Sequence, residues 1–125
     1  MQVIDNTRRD RATLPGIEHL TLAGGAQALT RLSLWRQTMA QGSATPAHQH
    51  DCEEVVLVLE GSGEVRWEGR SLAFGPDSTL VIPPRVAHQI VNTGAGPLVT
   101  VAAFSATPVG TFLPDGKPLE LPWAS

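Results

Sequence analysis

Short apolar runs separated by glycine and proline dominate the pattern along this chain, and few stretches repeat apolar residues with the 3.6-residue period of a helix. Twelve glycines and ten prolines are spread through the 125 residues. Short runs rich in Val, Leu, Ile, Trp and Thr between turn signals are typical of an all-β sandwich or barrel. The pattern predicts strands near Ile17–Leu22, Ala28–Met39, Ala47–His50, Glu54–Glu60, Gly63–Glu68, Arg70–Phe74, Thr79–Ile82, His88–Asn92 and Leu98–Phe104.

Glycine and proline also predict where the strands turn and end. The segments Glu60–Gly63 and Glu68–Arg70 are predicted to be hairpin turns, because glycine adopts positive φ at no steric cost. Pro83-Pro84 cannot continue a central strand ladder and therefore predicts a strand end.

Length, composition and charge narrow the class of protein. With 42% hydrophobic and 17% charged residues, we expect one globular domain over residues 1–125. Its parts would be an N-terminal arm (1–16), a barrel (17–106) and a C-terminal tail (107–125) that packs over the barrel. The net charge of −3, without a dense Lys/Arg cluster, argues against nucleic acid or an anionic membrane as partner. A lone cysteine and the lack of an apolar leader or bilayer-spanning run favour a cytoplasmic protein.

Three of the four histidines and one glutamate suggest a shared site. His48 and His50 are two residues apart, so on a strand their side chains leave the same face. On an uninterrupted strand Glu54 would lie roughly 20 Å from His48, at about 3.3 Å per residue. Because metal–ligand bonds are only about 2.0–2.2 Å long, the chain must turn at Asp51–Glu53 if all three bind one ion. A fourth donor must then come from a distant strand, and His88 is the well-placed candidate.

These residues resemble the two motifs of the cupin superfamily, in its small single-domain, conserved-barrel form. The first motif, G-x5-H-x-H-x3-E-x6-G, is matched at every fixed position by Gly42, His48, His50, Glu54 and Gly61. The second, G-x5-P-x-G-x2-H-x3-N, is matched by Pro83, His88 and Asn92, whereas Asp77 and Arg85 stand where it has glycine. The resemblance implies a jelly-roll barrel (a double-stranded β-helix), one divalent Fe, Mn, Ni, Zn or Cu ion, and frequently a homodimer.

The donor set itself indicates an open metal centre. Three imidazoles and a carboxylate would fill four positions of an octahedron and leave two open, unlike a closed structural zinc site. Such donors suit several divalent ions and do not choose among them. We expect His48, His50, Glu54 and His88 to be the metal ligands, with Glu54 also a candidate catalytic proton carrier.

Other side chains carry weaker signals. His19 is predicted to lie at the surface or an interface, with a place at the pocket mouth as the alternative. Trp35, Gln37 and Met39 share one face of a strand and Arg36 lies on the other, and the sequence does not say which face is interior.

The remaining candidates are expected to be structural. Cys52, in the predicted turn, is expected to be an inert thiol. Asn92 is expected to satisfy a backbone group at a strand end, and Trp123 to anchor the tail.

Three functions remain open. The leading prediction is a metal-dependent, dioxygenase-like enzyme acting on a small oxygen-rich molecule that chelates the ion. One alternative is an isomerase, lyase or decarboxylase in which the metal stabilises an enolate. The other is a non-catalytic module that binds or senses a small ligand.

Overall fold

The structure, a computed structural model, describes all of residues 1–125 and confirms the predicted all-β class. Its strands are β1 (Ala12–Leu14), β2 (Ile17–Ala23), β3 (Ser33–Met39), β4 (Gln49–His50), β5 (Glu54–Glu60), β6 (Gly63–Trp67), β7 (Arg70–Phe74), β8 (Ser78–Ile82), β9 (Gln89–Asn92), β10 (Leu98–Phe104) and β11 (Thr111–Phe112). Two short 3-10 helices lie at Asn6–Arg8 and Gly25–Gln27. None of the helices is long and apolar enough to cross a membrane.

The strands pair antiparallel in three sheets. The large sheet has the order β1-β2-β3-β10-β5-β8, the small sheet is β7-β6-β9, and β11 pairs with β4. The strand predicted to begin at Ala28 begins only at Ser33, because Gly25–Gln27 forms a 3-10 turn and Ala28 has a positive φ of 63°. Strands β1 and β11 lie outside the range 17–106 expected for the barrel.

The two predicted hairpin turns have different outcomes. Glu68-Gly69 does join β6 to β7, with φ of 50° and 72°, which is the signature of a type I′ turn. The segment Glu60–Gly63 is not a hairpin, because β5 pairs with β10 and β8 whereas β6 pairs with β7 and β9. It carries the chain from the large sheet to the small one. That prediction was wrong because glycine marks a bend without saying which strands pair.

The core lies between the large and small sheets and fixes which faces point inward. Its main apolar cluster is Ile17, Met39, Val56, Val58, Leu80, Ile82, Ile90 and Leu98. Burying each such side chain contributes roughly 1.5–3 kcal/mol, so this cluster is the main source of the barrel's stability. On β3, Trp35 and Met39 are buried and Arg36 is exposed, which settles the choice that the sequence left open.

The chain after β10 folds back over one end of the barrel. Strand β11 pairs with β4, so that Thr111 lies opposite His50. Further along, the hydroxyl of Thr21 donates a hydrogen bond of 2.9 Å to the carbonyl of Ala124. The tail is therefore part of the wall around whatever lies at that end.

Candidate functional site

Four side chains that are separated in sequence converge at the end of the barrel beneath the tail. His48 and His50 lie in or beside β4, Glu54 begins β5, and His88 precedes β9. The chain bends at Asp51–Glu53, as the spacing required, and so passes from β4 to the large sheet. His48 and His88 form a β-bridge, with reciprocal backbone hydrogen bonds of 2.8 and 3.1 Å. The ring centroids are 4.5 Å (His48–His88), 4.9 Å (His48–His50) and 6.2 Å (His50–His88) apart.

Each of the three imidazoles has its Nδ1 against a backbone carbonyl. His48, His50 and His88 contact the carbonyl oxygens of Pro46, Gly110 and Val86 at 2.7, 3.0 and 2.8 Å respectively. A carbonyl can only accept, so each Nδ1 carries the proton and each neutral ring keeps a free lone pair on Nε2. This is the arrangement in which a histidine binds a metal ion through Nε2.

The carboxylate of Glu54 lies among these rings and is cut off from solvent. Its side chain is 5% exposed, and its oxygens lie 3.5 Å from Nε2 of His50 and 3.6 Å from Nε2 of His88. Both distances are long for hydrogen bonds, and Oε1 of Glu54 and Nε2 of His88 have no hydrogen-bond partner. Unpartnered acceptors in a buried place are costly unless a proton or a cation lies between them.

Burial and mutual charge determine the protonation of the group. Burial, aided by the charges of His88 and His50, lowers the pKa of His48 to about 4, and burial also lowers the pKa of His50. Burial acts to raise the pKa of Glu54, but the neighbouring histidines hold it below its usual value. Burial likewise acts to lower the pKa of His88, and the Glu54 carboxylate outweighs it, so that this pKa is raised. An ionised carboxylate thus lies beside two imidazoles that burial keeps neutral, those of His48 and His50, and it favours a proton on His88.

The donors suit a divalent ion in their chemistry, although as placed they do not form a coordination shell. As the side chains stand, no group of three or more His, Cys, Asp or Glu residues meets the geometry of a metal site. Two donors about 2.1 Å from one ion would be about 3.0–3.4 Å apart, close to the 3.5 and 3.6 Å found around Glu54. A cation there would also supply the partner that Glu54 and His88 lack.

A cavity of about 50 Å³ adjoins the donors. Its other walls include Trp35 and Phe104 from the barrel and Leu119, Leu121 and Trp123 from the tail. Ligand pockets usually measure about 300–1,000 Å³, so with the tail in place this cavity can hold only a small molecule. A larger groove of about 520 Å³ lies along β6, β7 and β8, and of the four donors only His88 lines it.

His19 is the residue that the sequence placed wrongly. It is 1% exposed rather than at the surface, and its ring stacks on Trp123 with centroids 3.7 Å apart. The Thr21 hydroxyl donates its hydrogen to the carbonyl of Ala124, so its oxygen accepts a hydrogen bond of 2.8 Å from Nε2 of His19. Its Nδ1 then accepts from Nε2 of Gln37 at 3.1 Å. The prediction failed because the covering residue, Trp123, comes from the far end of the chain.

Trp35 joins this region to the cluster of His48, His50, Glu54 and His88, which the sequence also did not indicate. Its ring lies edge-on to those of His19, Trp123 and His50, at centroid distances of 5.0, 5.6 and 5.9 Å. The alternation on β3 marked Trp35 as a possible inward residue, but no signal in the sequence pointed to its neighbours.

Two other side chains have the structural roles expected of them. Burial raises the pKa of the Cys52 thiol to about 11, which leaves it protonated and unreactive at neutral pH. The amide of Asn92 donates to the carbonyls of Met39 and Gly96 and accepts from the N–H of Gly94.

The two departures from the second motif keep the backbone conformation of glycine. Asp77 and Arg85 have φ of 59° and 61°, in the left-handed region that glycine favours. The amide of Arg85 donates to the carbonyl of His50 at 2.8 Å. The segment before His88 therefore follows a course that suits the motif without its glycines.

Comparison with known proteins identifies the family. The profile of the auxin-binding protein family matches residues 1–121. Auxin-binding protein 1 of Arabidopsis thaliana is 36% identical over 120 residues, which cover 88% of this chain and 61% of that protein. Auxin-binding protein 4 of Zea mays is 32% identical over 111 residues, which cover 80% of this chain and 54% of that protein. The chain thus spans about three-fifths of the length of the first of these curated relatives.

Solved structures share the fold at lower identity. A polyketide cyclase from Streptomyces resistomycificus superposes with a TM-score of 0.75 at 21% identity, covering 97% of this chain and 87% of that one. A cupin-superfamily sugar phosphate isomerase from Silicibacter pomeroyi gives 0.74 at 19% identity, covering 99% and 100%. At such identities these structures establish the jelly-roll cupin fold alone. The profile match over residues 1–121 shows that the chain belongs to the auxin-binding protein family, built on this cupin fold.

Proposed function

We propose that this chain binds one divalent transition metal through His48, His50, Glu54 and His88, and that the ion holds a small organic ligand in the adjoining cavity. The observation that carries this proposal is the orientation of the imidazoles. Backbone carbonyls hold all three Nδ1–H groups, so each ring in its neutral form has its Nε2 lone pair free beside one buried carboxylate. The bound ion would supply a Lewis acid for an anionic oxygen. Fe, Mn, Ni, Zn and Cu all remain candidates for it.

The ligand class follows from what lines the cavity. Apolar and aromatic side chains, including Trp35 and Phe104, form much of the wall, and no Lys or Arg is among the lining residues. The ion would therefore be the only cation available to an anionic ligand. The plant relatives are named as auxin-binding proteins, which favours a small organic acid with an apolar body. Because the cavity is small with the tail in place, a larger acid needs Leu119–Trp123 to move.

The lack of further acid–base side chains in the cavity favours a binding role over a catalytic one. Apart from the donors His48, His50 and Glu54, no acid, histidine, lysine or cysteine lines it. A separate general base is thus missing, and proton transfer would fall to Glu54 itself.

Titration of the metal-loaded protein with carboxylates of increasing size tests the proposal. Acetate, pyruvate, phenylacetate and an auxin would be compared with their alcohol counterparts by calorimetry. We expect one metal per chain, binding of carboxylates only when metal is present, and no binding of the alcohols. His50→Ala is the control without a metal site. Equal binding by the metal-stripped protein would contradict the proposal.

A dioxygenase-like enzyme is the second candidate. What favours it is the count of donors, because four protein ligands leave two positions on an octahedral ion for substrate and O₂. Oxygen uptake by the Fe(II)-loaded protein with a panel of diketones and catechols tests this candidate. No uptake with any of them would leave the binding role, or an isomerase, lyase or decarboxylase that uses Glu54.

We also propose a homodimer formed through the outer face of the large sheet. Val55, Leu57 and Leu59 on β5 and Val81 on β8 are exposed there, Val81 by 75%, and Val55 pairs directly with Val81. An exposed apolar patch of this kind suits a second copy related by a two-fold axis. Light scattering should give the dimer mass, and Val81→Lys should give the monomer. A monomeric wild-type protein would contradict this proposal.

The single cysteine bears on the cellular location. Cys52 is free and buried, which suits a reducing compartment. We propose a cytoplasmic protein that acts without nucleic acid or membrane, and fractionation of cells with an antibody to the chain tests it.

A further inference from the structure

We propose that Gly110 and Asp51 form a positioning pair that holds His50 in the orientation needed to bind metal. The inference rests on the metal-binding role proposed above. It assigns to two residues outside the donor set a role that neither motif contains.

The pair is built on one peptide group. The carbonyl of Gly110 accepts the Nδ1–H of His50 at 3.0 Å, and the amide N–H of Gly110 donates to Oδ1 of Asp51 at 3.1 Å. The hydroxyl oxygen of Thr111 lies 3.2 Å from the same Nδ1. Asp51 directly follows His50 in the chain. Its carboxylate therefore links the Gly110 peptide, which orients the His50 ring, to the strand that carries His50.

His50 needs such a tie more than the other two histidines do. The carbonyls that accept from His48 and His88 lie two residues before each ring, within the same stretch of chain. The carbonyl that accepts from His50 is 60 residues away in sequence. Strand β4, which His50 ends, is only two residues long and pairs with β11 alone. The orientation of His50 therefore depends on where the tail lies.

Residue 110 is glycine because of Asp51 rather than because of its backbone angles. Its φ is not positive, so an L-residue could adopt the conformation. A Cβ added at Gly110, however, would lie 2.5 Å from Cγ and 2.7 Å from Oδ1 of Asp51. A side chain there must displace the Asp51 carboxylate from its present place, and we expect this to weaken its hydrogen bond to the Gly110 amide and so its hold on the peptide beside His50.

Gly110→Ala with Gly75→Ala as matched control tests the inference. A Cβ at Gly75 meets nothing within 4 Å, so the control adds the same methyl group without a contact. We expect the affinity for Zn(II), measured by chelator competition, to fall about 10-fold in Gly110→Ala, as loss of a ligand's supporting hydrogen bond typically causes. The visible spectrum of the Co(II) form should also change in Gly110→Ala and not in the control. A lower melting temperature with unchanged affinity and spectrum would mean a merely structural role and would overturn the inference.

Asp51→Ala supplies the second half of the test and adds no atom that could prevent folding. We expect it to weaken Zn(II) binding to a similar extent, and Gly110→Ala to cause no further loss in the Asp51→Ala background. Additive losses would mean that the two residues act separately and would overturn the pair. If the wild-type protein binds neither Zn(II) nor Co(II), the proposed function is overturned as well. If the wild type binds these ions and the variants bind them equally well, only this inference is overturned.

Discussion

The two halves of the site, one around the four donors and one where the tail covers the barrel, are built in different ways. In the metal-donor half, His48, His50 and His88 are oriented by backbone carbonyls, two of them only two residues away. In the tail half, His19 and Trp123 come from opposite ends of the chain and are held by ring stacking and a few side-chain hydrogen bonds. His48 and His88 are thus oriented by local backbone, whereas His50 depends on Gly110 and the tail half on long-range packing. Metal binding and ligand size should therefore respond to different substitutions.

The largest expected effect is that of His50→Ala on the donor half. We expect the metal affinity to fall by more than about 100-fold, beyond the 10–100-fold typical of supporting residues. The barrel should still fold, because its main apolar cluster lies elsewhere. Elemental analysis after dialysis measures the bound metal. His19→Ala, which removes a buried histidine outside the donor set, should keep its metal, and an unchanged metal content in His50→Ala would refute the assignment.

The next effect is that of Trp123→Ala on the tail half. Removal of a buried Trp costs about 3–5 kcal/mol, and because Trp123 is only half-buried we expect a loss nearer 2 kcal/mol in urea unfolding. The metal affinity should stay within about threefold, while larger carboxylates bind more tightly because the cavity widens. Trp67→Ala, on β6 and away from the cavity, is the control for ligand size. Loss of metal from Trp123→Ala would mean that the two halves are not separate.

The pH dependence of stability gives a smaller test of the same contrast. Burial lowers the pKa of His19 from 6.5 to about 4, so between these values the unfolded chain takes up a proton that the folded chain refuses. The stabilising effect of keeping His19 neutral is present above pH 6.5 and is lost as the pH falls towards 4. Between pH 7 and pH 5 the wild type should lose about 1–2 kcal/mol more unfolding free energy than His19→Gln. The donor histidines contribute equally to both proteins, and equal losses would show that His19 titrates normally.

The smallest effect concerns the turn before His88. Arg85 has a φ of 61°, a conformation that costs an ordinary residue about 1–2 kcal/mol. Glycine removes that strain at an entropic cost of about 0.5–1 kcal/mol, so Arg85→Gly should stabilise the fold by about 0.5 kcal/mol. Arg70→Gly, in β7, should instead destabilise it. Chemical unfolding of both variants compares them directly, and a loss of stability in Arg85→Gly would show that the arginine side chain contributes more than its backbone strain.

The same division explains what the sequence could predict. The turn at Asp51–Glu53 followed from strand spacing and bond lengths once His48, His50 and Glu54 were taken to share one ion. The burial of His19 did not follow, because its cover arrives more than a hundred residues later. The misplaced hairpin at Glu60–Gly63 failed for a related reason, since strand partners are chosen by packing across the whole barrel.

The pairing of β4 with β11 has a practical consequence for shortened forms of this protein. A fragment cut before Gly110 would retain every residue of both motifs, and a motif search would accept it as intact. Strand β4 would nevertheless have lost its neighbour and His50 the acceptor of its Nδ1 proton. Proteolytic removal of the tail would thus impair metal binding without removing any of the four proposed ligands.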